Sequence, residues 1–288
     1  MVSQSFASLL RSTSHLSYRN LLVHPARRLR RFSASPFLNR EPPHEPTPNP
    51  LQGKSCIITG ASRGIGAAIA KRFAQEGVRC ILVGRNEQLL LSVRDGLGTG
   101  DEHRVVVGDV GSDAFWGNMK KEKVDILVNS AGITHCSPLF VTSPSLLEEV
   151  MRTNLMGTMM ACRTMGKNMM ALKGGCIINV ASLLGQKGGK GSAAYAASKA
   201  GVIGLSRALA AELGEKNVRV NVIVPGYIET DMTEGAAMTP NARSEALNAI
   251  PLKRFGRPSE IADAAVFLAA NAYANNCVLN VDGGLSAI

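Results

Sequence analysis

Tyr195 and Lys199 stand four residues apart in the run Tyr195-Ala-Ala-Ser-Lys199. On a helix, positions i and i+4 share a face, so the ammonium would lie beneath the phenol and favour its ionised form. A tyrosine held this way passes a proton near neutral pH, which an ordinary phenol of pKa about 10 does poorly. Upstream, Ser182 closes the strand-like run Ile177-Ile178-Asn179-Val180-Ala181-Ser182. A hydroxyl there can hydrogen-bond a carbonyl oxygen and polarise it for attack. Taken singly, these are a strand-end serine and an ordinary helix lysine; the spacing of all three residues points to proton-transfer chemistry on a carbonyl.

A second group of residues suits a phosphorylated cofactor. The chain reads Ile57-Ile58-Thr59-Gly60-Ala61-Ser62-Arg63-Gly64-Ile65-Gly66 and continues with helical periodicity. An apolar strand that turns through glycines into a helix is the dinucleotide-binding βα unit. Gly60 permits the tight turn, Gly64 lets backbone N–H groups reach a pyrophosphate, and Gly66 lets the helix pack closely on the strand. The helix N-terminus is then aimed at the anion. An adenosine ribose bearing a 2′-hydroxyl calls for a carboxylate after the second strand, whereas a 2′-phosphate calls for positive charge. The chain offers Gly84-Arg85-Asn86 there, with Arg63 in the glycine loop and no carboxylate among these residues. That favours NADPH over NADH, with reduction as the working direction.

These groups must be positioned by alternating strands and helices. Strand-like apolar runs recur near 55–59, 79–83, 104–107, 124–128, 176–180, 218–224 and 277–281, with helical patterns between most of them. This alternation predicts a single α/β domain, a doubly wound parallel sheet of about seven strands with helices on both faces. Ligands bind beyond the carboxyl ends of such strands. Gly60, Gly84, Asp109, Asn129, Ser182 and Pro225 each follow a strand, so six segments converge on one crevice.

The glycine spacing G-x-x-x-G-x-G, the serine and Tyr-x-x-x-Lys together resemble the short-chain dehydrogenase/reductase family over residues 53–288. Asp109-Val110, Asn129-Ser130-Ala131-Gly132, Asn154, Pro225-Gly226 and Asp282-Gly283-Gly284 follow in family order. The resemblance implies that Asn154 holds a water in a proton relay and that Lys199 also bonds the nicotinamide ribose. It implies that Asp109 accepts from the adenine amine, with Val110 against the ring. Asn129, Ala131 and Gly132 would line the adenosine ribose, and Ser62, Ile65, Pro225, Gly226, Ile228 and Thr230 complete the implied cofactor contacts.

Within the family, Gly191-Ser-Ala-Ala-Tyr195-Ala-Ala-Ser-Lys199-Ala-Gly201, Val220–Met232 and Ile250-Pro-Leu-Lys-Arg-Phe-Gly256 look most like 3-oxoacyl-(acyl-carrier-protein) reductases. That likeness implies hydride delivery to the C3 carbonyl of a 3-oxoacyl thioester. It also implies an acidic carrier protein as partner, met by Lys173 and Lys216, and a homotetramer or mixed tetramer. The methionines between Met156 and Met170 suit core or subunit-interface packing. Rival readings are a carbonyl reductase for quinones, steroids or 3-hydroxyacyl-CoA, with His135, Gln186, Tyr227 and Met232 deciding the substrate, or a non-catalytic scaffold or RNA-binding subunit. Two departures stand out. Only a short crossover (110–123) precedes the fourth strand, with Trp116 to cover the gap, and Tyr273-Ala-Asn-Asn276 replaces the family's aromatic-x-Thr-Gly.

The 288 residues carry a net charge of +10, half of it in residues 1–50. Residues 1–40 hold seven arginines and eight serines but no lysine and no acid. This is the composition of a mitochondrial transit peptide, with cleavage expected after Phe32 and the matrix as destination; the bland alternative is a basic tail. Residues 41–50 hold five prolines and read as an extended linker, leaving 51–288 for the reductase domain. Apolar runs fall short of the roughly 20 residues a membrane span requires. Six scattered cysteines without a C-x-x-C pair read as reduced, with no metal site. Neither membrane nor nucleic acid is expected as a partner.

Overall fold

The computed structural model describes residues 49–98, 103–233 and 238–287. The expected leader and all but the last two residues of the proline-rich linker lie outside the described residues. Seven strands form one parallel sheet: β1 (Ser55–Thr59), β2 (Arg79–Gly84), β3 (Arg104–Val107), β4 (Ile126–Asn129), β5 (Gly175–Val180), β6 (Val218–Pro225) and β7 (Val278–Val281). Their order is β3-β2-β1-β4-β5-β6-β7, so it reverses between β1 and β4. The expected doubly wound sheet is therefore present, with its switch point beside the glycine loop.

The strands are apolar on both faces because both faces are covered. On one side Ile58, Leu82, Val128 and Ile178 pack against α1 (Gly64–Gln75) and α9 (Pro258–Ala270), through Ile69, Phe73, Ile261 and Leu268. On the other, Ile57, Val83, Leu127 and Ile177 meet Met165 and Met169 of α5 (Gly157–Ala171) and Leu213 of α7 (Ala193–Gly214). The remaining helices are α2 (Glu87–Asp95), α3 (Asp113–Met119), α4 (Pro144–Met151), the short α6 (Leu184–Lys187) and α8 (Pro240–Ala249). Cys56, Cys80, Cys162 and Cys176 are buried in these cores, and burial pushes each thiol up, away from the reactive thiolate.

Both departures have local solutions. The short crossover is the seven-residue α3, capped by the Ser112 hydroxyl, which accepts from the Phe115 N–H. Trp116 is 1% exposed and donates its indole N–H to the Val110 carbonyl at 2.8 Å, so it fills the space as expected. Before β7, Asn276 takes the left-handed conformation (φ 61°) that a glycine would supply. Asn275 ties the turn down, its Oδ1 accepting from Val220 N–H at 2.9 Å and its Nδ2 donating to the Ala210 carbonyl at 3.2 Å. Asn276→Gly should leave stability unchanged or raise it by up to about 1 kcal/mol, whereas Asn276→Val should lower it by about 1–2 kcal/mol. Urea unfolding of the two variants measures both.

Candidate active site

Parallel strands place their carboxyl ends on one edge, and the candidate residues gather there. The segment after β5 is pinned to β6 by Ala181 N–H donating to the Ile223 carbonyl at 2.8 Å and Leu183 N–H to the Pro225 carbonyl at 2.9 Å. Ser182 is held between them, and its hydroxyl accepts from Leu184 N–H at 3.2 Å. Tyr195 lies in the first turn of α7, with Lys199 one turn further on. Lys199 is 5% exposed; its ammonium donates to the Val180 carbonyl at 2.8 Å and lies 5.8 Å from the Tyr195 ring centroid.

The pair shares a face as the spacing predicts, but its electrostatics differ from the sequence expectation. Burial raises the Tyr195 phenol above its ordinary value, and a hydrogen bond with Ser182 only partly opposes this. Burial also pushes Lys199 down, to about 8. Removal from water penalises whichever form carries charge, and here it is the leading influence on both groups. The chain alone thus holds a neutral phenol, the form that donates a proton.

Asn154 is fully buried in a π-helical turn, Arg152–Met156, between α4 and α5. Its Oδ1 accepts from Ile133 N–H at 2.8 Å, while its Nδ2 donates to the Ile133 carbonyl at 2.9 Å and to Ser198 Oγ at 3.0 Å. Ser198 in turn donates to the Tyr195 carbonyl at 2.7 Å. Both amide protons are taken, so a relay water meets this side chain only through the second lone pair of Oδ1. A Cβ built on Gly132 would fall 3.3 Å from that oxygen and 3.4 Å from the Lys199 ammonium. The glycine therefore leaves open the space between the two groups.

The loop after β1 fits a dinucleotide. Gly60 has φ 68°, and a Cβ there would fall 2.7 Å from the Ala131 backbone; a Cβ on Gly66 would fall 2.2 Å from the Gly60 carbonyl oxygen. Turn, second loop and helix are thus as close as glycine alone allows. The Thr59 hydroxyl accepts from Ser130 and Ala131 N–H at 3.2 Å each, fixing the loop after β4 beside it.

The family described as Enoyl-(Acyl carrier protein) reductase matches residues 60–286. The chain belongs to the short-chain dehydrogenase/reductase family. Among its relatives, the 3-oxoacyl-(acyl-carrier-protein) reductase FabG of Chlamydia muridarum is 41% identical over 82% of this chain and 98% of its own length. The Homo sapiens protein named 3-oxoacyl-(acyl-carrier-protein) reductase is 40% identical over 82% of this chain and 99% of its own length. A solved structure of a putative NAD(P)-dependent gluconate 5-dehydrogenase from Beutenbergia cavernae, with bound NADP, superposes with a TM-score of 0.80 at 36% identity. That match covers 84% of this chain and all of the other.

Other residues of this dehydrogenase/reductase fall less simply than the sequence suggests. Asp109 is paired with Arg152, whose Nη1 lies 2.6 Å from its Oδ2. The Arg152 guanidinium holds the Asp109 carboxyl below the usual carboxylate range, with smaller help from Gly111 N–H and Arg85. Val110 is 7% exposed and packs against Gly157. The Asn129 side chain turns away from the crevice: its Nδ2 donates to Asn179 Oδ1 at 2.8 Å, and Asn179 donates to Ser206. The side chain is therefore engaged within the sheet rather than offered to the ribose side of the crevice. Arg63 is not free of carboxylates, because Asp231 pairs with it at 3.0 Å from 168 residues away. Thr230 adjoins that pair, with its N–H on Thr233 Oγ1, while Ile228 is buried and bridges to Gly256.

Of the loop residues expected to select the substrate, Tyr227 stacks on Phe255 at 5.3 Å and Gln186 bonds Asn280. Met232 is exposed; His135 is buried, with neither ring nitrogen partnered among the described residues. Sequence reasoning missed Arg152, Ser198, Asp231 and the Val180 carbonyl. Arg152 and Ser198 each sit within two residues of a motif residue, which is the one signal that could have found them.

The low Lys199 value carries a sign for stability. Between about 8 and the ordinary value of 10.5 the unfolded chain binds the extra proton, so stability rises with pH across that window. Below it, burying the charge costs roughly 3 kcal/mol. Lys199→Met should therefore be the more stable protein near pH 7, and its advantage should shrink as pH rises toward 10. Paired denaturant titrations at the two pH values measure this.

Proposed function

We propose that the chain is an NADPH-dependent 3-oxoacyl-(acyl-carrier-protein) reductase of the mitochondrial matrix, working as a tetramer. The observation that carries the chemistry is the neutral Tyr195 phenol beside the buried Lys199 ammonium and Ser182, set next to a glycine loop that fits a dinucleotide. Relatives named for this activity, about 40% identical over nearly their whole length, support the substrate class. Bound NADPH supplies the hydride for the C3 carbonyl. Ser182 orients that carbonyl and Tyr195 gives its proton to the developing alkoxide. Lys199 holds the ribose side of the cofactor, and Asn154 with a bound water restores the proton. Arg63 and Arg85, both exposed at the crevice, are the positive charges for a 2′-phosphate.

The arginine-rich, acid-free leader supports the matrix, and the half-apolar face of α4 and α5 supports the tetramer. Met165 and Met169 are core residues, but Met151, Met156 and Met159 are exposed together with Arg152. Lys173 and Lys216 immediately precede β5 and β6, at the amino-terminal edge of the sheet. That edge is opposite this chain's own Tyr195, so a carrier held there would serve the crevice of an adjacent subunit.

The test follows NADPH oxidation with acetoacetyl thioesters of the carrier protein and of coenzyme A. Turnover is expected with both, higher with the carrier form, and this preference should fall with salt. Tyr195→Phe should lose about 10²–10⁴-fold in kcat while still binding NADPH. Full activity in that variant would remove the tyrosine from the mechanism. No turnover on either thioester would redirect the assignment to other ketones.

A further inference from the structure

The glycine loop is tied across the crevice to the segment that follows β6. Arg63, immediately before α1, places its Nη1 3.0 Å from Asp231 Oδ2, and the two side chains are 67% and 63% exposed. Beside them, a Cβ on Gly64 would fall 3.3 Å from Thr230 Cγ2, so the Thr230 side chain lies against the glycine. Nothing buried requires this ion pair. Solvent screens it, and it does little for the fold.

We propose that Asp231 is a specificity-determining residue for the coenzyme: it occupies the Arg63 guanidinium in place of the 2′-phosphate, which must displace it to bind. The inference rests on the reading of Arg63 as a 2′-phosphate contact. Asp231 takes a Nη1 donor of Arg63 and neutralises its charge, so the carboxylate and a 2′-phosphate compete for the same guanidinium. The phosphate carries close to two charges against one on the carboxylate, and it wins the exchange. Asp231 therefore weakens binding only of ligands that carry the phosphate. A coenzyme with a free 2′-hydroxyl leaves the pair closed.

The experiment measures dissociation constants of the full chain for NADPH, NADH and adenosine 2′,5′-bisphosphate at low and high salt. Asp231→Asn keeps the shape and removes the charge, and Asp231→Ala checks that the new amide is not responsible. Both should bind NADPH and the bisphosphate about two- to five-fold tighter at low salt, with NADH unchanged. The gain should vanish in an Arg63→Ala background and shrink at high salt. Equal changes for both coenzymes, no change, or a gain that persists without Arg63 would overturn the proposal. If Arg63→Ala leaves the NADPH-to-NADH ratio untouched, the reading of Arg63 falls as well. If that ratio collapses while the Asp231 variants behave as wild type, only the role of Asp231 is lost.

Discussion

The Lys199 ammonium sits out of water and donates to the Val180 carbonyl, and much of the active-site architecture serves that placement. Burying a charge is unfavourable unless hydrogen bonds replace water, so α7 must meet the end of β5 at a fixed distance. Small residues make that possible. A Cβ on Gly185 would fall 2.7 Å from the Lys199 backbone, so the turn after Ser182 can lie directly against the helix. Val202 and Ile203 of α7 complete the contact by packing on Ala181, Leu183 and Val222. The same docking sets Tyr195 over Ser182 and threads Ser198 back to Asn154. The unfavourable charge is thus the reason for close packing at the centre of the crevice.

Elsewhere in the crevice two further charges are paired. Asp109 is held by Arg152 and Arg63 by Asp231. The first pair links the adenine end to the π-helical turn that carries Asn154, because Arg152 and Asn154 belong to one five-residue turn. A widened turn presents side chains at angles a regular helix does not, which is how an exposed arginine and a fully buried asparagine lie so close in sequence.

The fold was legible almost to the residue in its strands, because a parallel sheet covered on both faces writes itself as short continuous apolar runs. Ser182, Tyr195, Lys199 and the glycines were legible because turn geometry and helical spacing are local. What could not be read was set by partners distant in sequence. The 168-residue reach from Arg63 to Asp231 has no local signature, nor does the inward turn of Asn129 toward Asn179. The protonation of the Tyr195–Lys199 pair also depends on burial, which spacing does not disclose. Asn276 shows the converse: where the family has a glycine, asparagine adopts the left-handed conformation itself.

The buried asparagines have a consequence for how the chain reaches this sheet. The central strands Ile-Ile-Thr, Ile-Leu-Val-Asn and Ile-Ile-Asn-Val are nearly interchangeable as grease, and an apolar strand can slide past its neighbour at little cost. Asn129 and Asn179 stand directly opposite one another in the β4–β5 pairing, and Asn221 of β6 faces Ile178 while bonding the Ala274 carbonyl and Cys277 N–H. A slip of one residue would carry an amide to the opposite face, into hydrocarbon with no partner. These amides therefore penalise misaligned strand pairings that apolar contact alone would tolerate.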